Sequence, residues 1–368
     1  MTSKKIISAD SHVIEPPNLW LDYIEPEFRS RAPHCEREND KDVFKCDGGV
    51  SLIQVGAVSA AGRSVDNVSN LGSYEQDAPK GAYDPNARVA EIKEDGVEAE
   101  VLYPSIALRM FGISDVPYQL ACFKAYNSWM SDFVKQQPEI FKGIGLIPID
   151  DIEASITELH RCKELGLSGV SIAVSTDPDL TYDNPHFDPL WSAAETSEIP
   201  ISLHILTERR RKAQLPDSVT RLVNGATECF AIQEALARMI FGAVFYRYPG
   251  LRIVSAENDI GWAAYFTERI DYLFDRRRPF HTFDIPRDTF PSEYMKRNAY
   301  LTFMRDRSGI LSRAITGVDN LMWSTDYPHL DSTWPKSMEM LDTLVGDIPE
   351  DEARKITAGN AARLYDFD

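Results

Sequence analysis

Ile6-Ile7-Ser8-Ala9-Asp10-Ser11-His12 opens on branched apolar residues and closes on two side chains able to bind a metal. Such a run reads as a buried parallel strand, in which alternate residues share a face. Asp10 and His12 therefore point the same way. As the first strand of a (β/α)8 barrel, it would aim them into the mouth, where barrel enzymes keep their chemistry. The rest of the chain then serves as scaffold that brings further ligands to this pair.

Outward from the pair, Val13-Ile14-Glu15-Pro16-Pro17 ends the strand on paired prolines, which cannot continue a ladder. Residues 18–83 are polar, acidic and irregular, with strand signals only at 43–44 and 50–55. A stretch this long reads as an insertion packed over the barrel mouth. Regularity returns at Asp84-Pro85, a cap and a first-turn proline for a helix that Gly96 stops. Seven more strands are predicted, at 98–103, 141–149, 169–174, 200–205, 252–257, 299–303 and 320–326. Helical segments are predicted at 118–136, 152–165, 188–197, 217–245, 261–277, 334–344 and 350–364. Strand spacings of about 30 to 50 residues match βαβ units. No Gly-x-Gly-x-x-Gly follows any strand, so an α/β barrel is favoured over a dinucleotide-binding open sheet. One domain covering 1–368 is expected.

The bulk numbers exclude several classes. With 368 residues, 43% of them hydrophobic, the chain can bury a core without disulfide support. A net charge of −18, from 39 basic and 57 acidic residues, argues against a nucleic-acid backbone or an anionic membrane as partner. The five cysteines are widely spaced and form no Cys-x-x-Cys pair, so neither a zinc knuckle nor a disulfide framework is indicated. Reduced thiols in a cytoplasmic protein are the expectation. The N-terminus lacks a signal-type apolar core, and no uninterrupted apolar run would span a membrane.

The chemistry gathers at strand ends. Asp10 with His12, then His204, Glu257 and Asp326, each close a predicted strand, while Glu15 and His329 lie three residues beyond one. Three imidazoles and four carboxylates at one rim suit Zn, Mn or Fe, whereas all-oxygen sites suit Mg or Ca. Asp326 is also placed to act as a general base on a metal-activated water. Each residue has a plainer alternative: a lone strand-end histidine such as His204 is more often structural, Glu257 can be a salt-bridged acid, and Glu15 and His329 can orient ligands from behind. Arg305 is a candidate to grip a substrate carboxylate, with a surface ion pair as its alternative. No Gly-x-Ser-x-Gly elbow accompanies the serines on the strands, so a serine hydrolase is disfavoured.

Four stretches together, Asp10-Ser11-His12-Val13-Ile14-Glu15-Pro16-Pro17, Leu203-His204, Ala256-Glu257-Asn258-Asp259-Ile260-Gly261-Trp262 and Ser324-Thr325-Asp326-Tyr327-Pro328-His329, resemble the amidohydrolase-2 branch of the amidohydrolase superfamily. That branch includes relatives of aminocarboxymuconate-semialdehyde decarboxylase and γ-resorcylate decarboxylase, as well as C–C and ester hydrolases, on a distorted (β/α)8 barrel. The resemblance implies one divalent metal on Asp10, His12, His204 and Asp326, with Asp326 or Glu257 moving protons. Strand four carries no lysine, so the version with a carboxylated bridging lysine is out. The chain departs from the decarboxylases at Glu257, where they carry a catalytic histidine. In this respect it resembles a subgroup of dinuclear non-heme iron oxygenases on the same fold, in which Glu15, Glu257 and His329 would hold a second metal. The expected function is thus hydrolysis or decarboxylation of a small organic acid or amide. The alternatives are an Fe/Fe or Fe/Mn oxygenase and a partner subunit holding a structural metal. A homodimer, or a hetero-oligomer with a related subunit, is the family expectation.

Overall fold

The computed structural model describes residues 5–47, 50, 52–68, 72–208 and 217–367. Strands are numbered in chain order: β1 (Ile7–His12), β2 (His34–Glu38), β3 (Lys41–Lys45), β4 (Ala99–Tyr103), β5 (Phe141–Leu146), β6 (Gly169–Ile172), β7 (Ile201–His204), β8 (Ile253–Ala256), β9 (Ala299–Phe303) and β10 (Leu321–Trp323). Eight of them form one parallel sheet in the order β1-β4-β5-β6-β7-β8-β9-β10, with helices between successive members. This is a (β/α)8 barrel. The capping signals act as their side chains require. Asp84 accepts the amides of Asn86 and Ala87, Asp151 accepts that of Ala154, and Gly96 turns the chain at φ +79.

The barrel closes between its last strand and its first through residues just past β10. Thr325 donates its amide to Ser8 Oγ (2.8 Å), Asp326 to the Asp10 carbonyl (3.0 Å), and His12 to the Tyr327 carbonyl (2.7 Å). Closure therefore sets Asp326 against Asp10. In β1, Ile7 pairs with Ala99 and His12 with Tyr103, with a register shift between Ser8 and Ser11. The extra residue lets Ile7 and Ala9 join an apolar layer with Val101, Tyr103, Val254, Tyr300 and Met322, while Asp10 and His12 both face inward beyond the shift. Leu364, Tyr365 and Phe367 of the C-terminal segment pack against the same layer.

The insertion is more ordered than its composition suggests. β2 and β3 form an antiparallel hairpin, 52–54 are irregular, and Val55–Val58 is a helical turn rather than a strand. Ser51, and residues 1–4 ahead of the first strand, lie outside the described residues. The insertion grips both the outer helices and the mouth. Trp20 Nε1 donates to the Cys122 carbonyl (3.1 Å), and Ala61 N donates to the Pro328 carbonyl (3.0 Å). The helical stretch 217–245 is broken into Ser218–Thr227, Cys229–Phe241 and Val244–Arg247, the second break falling at Ala243, which takes φ +60. The C-terminal helix is likewise split at 355–359 by a wider turn. Pro291–Asn298 adds a helix that a short, strongly charged run does not announce.

Candidate metal centre

The side chains delivered by β1 and β7 have their outer atoms already engaged. His12 donates Nδ1–H to the Pro104 carbonyl (2.8 Å), and His204 donates Nδ1–H to the Ile205 carbonyl (2.9 Å). A carbonyl can only accept, so both rings present an Nε2 lone pair to the barrel axis. Asp10 Oδ2 accepts the Thr302 hydroxyl (2.9 Å), leaving Oδ1 free. In this cluster the buried atoms without a hydrogen-bond partner among the described residues are Asp10 Oδ1, His12 Nε2, His204 Nε2, Glu257 Oε2 and both oxygens of Asp326. They converge. His12 Nε2 lies 3.6 Å from Asp10 Oδ1, 3.5 Å from Glu257 Oε2 and 3.1 Å from Asp326 Oδ1. His204 Nε2 lies 3.7 Å from Asp10 Oδ1 and 3.4 Å from Glu257 Oε2.

Six buried acceptor atoms gathered around His12 repel one another, at a cost of about 1–3 kcal/mol for each unmade bond. A cation shared among them removes that cost. The donor set of two imidazole nitrogens and three carboxylates fits a divalent Zn, Mn or Fe ion.

The backbone bends to build this centre. Glu257 and Asp326, each just past a strand, take φ +56 and φ +57, a left-handed conformation that non-glycine residues seldom adopt outside functional sites. The turn is pinned at both places: the Glu257 amide donates to Thr302 Oγ1 (2.8 Å) and that of Asp326 to the Asp10 carbonyl.

His329 stacks on His12 at a centroid distance of 4.0 Å. Ser105 Oγ donates to the Val13 carbonyl (2.6 Å), so it accepts from His329 Nε2 (2.8 Å). The His329 Nδ1 lone pair then faces Asp326 Oδ1 at 3.1 Å, again asking for a cation between two acceptors. The structure thus gives two overlapping groups, Asp10/His12/His204 and His12/Glu257/Asp326/His329, each with ligand atoms within 4.8 Å of one another.

Two expected roles are corrected. Glu15 does not join either group. Its carboxylate accepts the amides of Ser105 (3.3 Å), Ile106 (3.0 Å) and Ala107 (2.9 Å), so it organises the loop whose Ser105 holds His329. Arg305 spans the backbone carbonyls of Asp331 and Ser332 and braces that loop instead of facing a substrate. Thr302 and Ser105 are the participants that sequence reading missed, since a hydroxyl on a strand or loop carries no distinguishing pattern.

The charges are strongly coupled. Burial, reinforced by Asp326, pushes Glu257 up to about 7. Burial opposes ionisation of Asp326, but His329 and His12 outweigh it and hold Asp326 well below the usual carboxylate range. Burial works against charging His12, yet Asp326 and Glu257 raise it. Burial opposes charge on His204 as well, and Asp10 raises it. Burial lowers His329. With no metal to share, the carboxylates draw protons onto His12 and His204, the same demand for positive charge that the orphaned atoms make.

From Glu257 a cavity of about 370 Å³ opens to the surface between the ends of β7, β8, β9 and β10, lined by Ile205, Trp262, Phe303, Met304 and several acidic residues. It is large enough for a small molecule. Among the described residues no helix is long and apolar enough to cross a membrane.

The amidohydrolase family model matches residues 84–367, a range that excludes Asp10, His12 and Glu15. The chain is 28% identical over 262 residues to 2-amino-3-carboxymuconate-6-semialdehyde decarboxylase from Dictyostelium discoideum, covering 70% of each chain. It is 27% identical over 293 residues to γ-resorcylate decarboxylase from Polaromonas sp. strain JS666, covering 76% of this chain and 86% of that one. Among solved structures it is similar to 5-carboxyvanillate decarboxylase from Novosphingobium aromaticivorans, complexed with manganese and 4-hydroxy-3-methoxy-5-nitrobenzoic acid. There the TM-score is 0.69 and the identity 19%, with 98% of this chain and 96% of that one covered.

Proposed function

Since this chain belongs to the amidohydrolase family, we propose that it is a metal-dependent lyase that removes a carboxyl group from a small organic acid. The observation that carries the reading is the gathering of unpartnered buried atoms from Asp10, His12 and His204 in one group at the barrel mouth, with Asp326 Oδ1 3.1 Å from the shared His12 Nε2. The decarboxylase relatives and the manganese of the similar decarboxylase structure support it. Asp10, His12, His204 and Asp326 would hold the ion. When bound, a divalent metal supplies a Lewis acid that draws electron density from the substrate's oxygen atoms.

The protein's own part is proton handling and positioning. Loss of CO2 leaves an electron pair on carbon, which must receive a proton. Glu257 lies between the cluster and the cavity, and its protonated carboxyl delivers that proton as the carbon–carbon bond breaks. A glutamate thereby occupies the place where the decarboxylases of the branch use histidine. Thr302 and the turn at Glu257 fix the donor's direction.

One observation favours a second reading. His12, Glu257, Asp326 and His329 form a group of their own, which fits a second ion and, with it, a dinuclear iron or iron–manganese oxygenase. Elemental analysis of protein purified with manganese and iron supplied, together with CO2-release and O2-uptake assays over small aromatic and unsaturated acids, separates the two. One metal per chain with CO2 release is the expected result. Glu257→Gln should then lower kcat by roughly 100-fold or more with the metal retained. Two metals per chain, O2 uptake without CO2, and loss of one metal in Glu257→Gln would establish the oxygenase. A metal-replete chain inert in both assays would be a partner subunit.

A further inference from the structure

The cavity above Glu257 has an unusual polar lining. Asn258 is 5% exposed, and its Nδ2 donates to the carbonyls of Ala256 (2.7 Å) and Leu203 (3.4 Å). That fixes the amide's orientation and leaves Oδ1, on the cavity wall, without a partner. Asp259 follows directly, and Asp331 lines the same cavity. Asp259 accepts the Met304 amide on its carboxylate, and no ion pair of either acid is found among the described residues. Asp306, also in the lining, is spent: it accepts the amides of Ile260 (2.8 Å), Gly261 and Gly309 (2.9 Å) and the hydroxyl of Ser308 (2.6 Å). No lysine, arginine or histidine is among the described residues of this lining.

The wall therefore offers acceptors and negative charge but no donor cation. A second carboxylate on the ligand would be repelled there. An ammonium group carries three donors and no acceptor, matching Asn258 Oδ1 with the Asp259 and Asp331 carboxylates. Trp262, whose indole N–H is tied to the carbonyls of Asn258 (2.9 Å) and Asp259 (3.0 Å), adds an aromatic neighbour suited to a cation. Resting on the assignment of the Asp10/His12 cluster as the reacting centre, we infer that Asn258, Asp259 and Asp331 form an ammonium subsite, so that the substrate is an amino-substituted acid with its carboxyl end at Glu257 and its amino end at this wall.

The test is calorimetric titration of manganese-loaded protein with ω-amino acids of three to six carbons, the matching dicarboxylates and the matching unsubstituted acids. One ω-amino acid should bind about tenfold or more tighter than its unsubstituted and dicarboxylate counterparts. Asp259→Asn should reduce that preference to threefold or less with the manganese content intact, because asparagine tolerates the φ of +53 at this position. Undetectable or equal binding of the three ligand types, or a preference that survives Asp259→Asn combined with Asp331→Asn, overturns the subsite. So does tighter binding of a dicarboxylate that disappears when Arg209, Arg210, Arg211 and Lys212 are changed to glutamine, since anions would then be recognised from 209–216, outside the described residues. An ammonium preference without CO2 release on any amino acid would leave the subsite standing and remove the lyase assignment.

Discussion

Thr302 donates its hydroxyl to Asp10 Oδ2 and accepts the Glu257 amide on the same oxygen, so one side chain on β9 aims two acids at the axis. Thr302→Val keeps the shape and strands both partners. Metal affinity should fall roughly 10- to 100-fold, and stability should drop by about 1–3 kcal/mol, with Thr302→Ser restoring most of both. Chelator competition and urea unfolding measure the two effects, and an unchanged affinity in Thr302→Val would remove Thr302 from the site. Glu15 offers the opposite contrast. Its lone pairs are taken by three loop amides, so Glu15→Gln should cost about 1–3 kcal/mol of stability while leaving metal stoichiometry unchanged. A lost metal equivalent in that variant would return Glu15 to the ligands.

At the scale of elements, the seam between β10 and β1 decides whether the ligands meet. Arg88 lies fully buried behind it, paired with Glu100 (2.6 Å) and donating to the carbonyls of His12 (2.6 Å) and Tyr327 (3.2 Å). It thereby ties the ends of both strands to one guanidinium. Arg88→Met would leave Glu100 charged and alone in the core, a loss of about 3–5 kcal/mol, and should loosen metal binding because His12 and Asp326 share the seam. Arg88→Met with Glu100→Leu should recover much of the stability but not the affinity. Recovery of both would mean that the pair serves folding alone.

These contacts also show what could be read from the chain and what could not. Strand ends were legible because a short apolar run stopping on Asp, His or Glu has few other readings, and Asp10, His204, Glu257 and Asp326 are all found where such runs end. The register shift in β1 was invisible, since a bulge leaves no mark on Ser8-Ala9-Asp10-Ser11. Of the hairpin at 34–45 only the strand at 43–44 is signalled, and its partner is hidden by charge: Cys35-Glu36-Arg37-Glu38 alternates too weakly to announce a strand. Glu15 and Arg305 were misread for a different reason. Proximity to a strand end fixes where a side chain starts, and only neighbouring amides and carbonyls decide where its polar atoms are spent.

For the molecule as a whole, the site concentrates buried acceptors whose charge must be balanced. The folded-state pKa values of His12, His204 and Glu257 are raised and that of His329 is lowered by burial, so without metal the three groups that gain protons on folding outnumber the one that loses affinity for them. Stability from His12 and His204 is fully present below their unfolded value of about 6.5 and is lost as pH climbs through the folded values. Glu257 acts in the same direction between about 4.5 and about 7. Asp326 is lowered, so its contribution is lost only as pH falls below the carboxylate range. Chelated protein should therefore melt at progressively lower temperature as pH rises from about 5 to about 8. Metal reverses the slope, because its ligands must shed protons to bind it. At about 1,000 times the dissociation constant it adds about 4 kcal/mol, several degrees of melting temperature for a chain of this size, and that gain should shrink towards zero as acid reprotonates the imidazoles. Melting curves with and without manganese at four pH values resolve both trends. Parallel curves at a constant offset would show that the metal displaces no protons, and His12 and His204 would then not be its ligands.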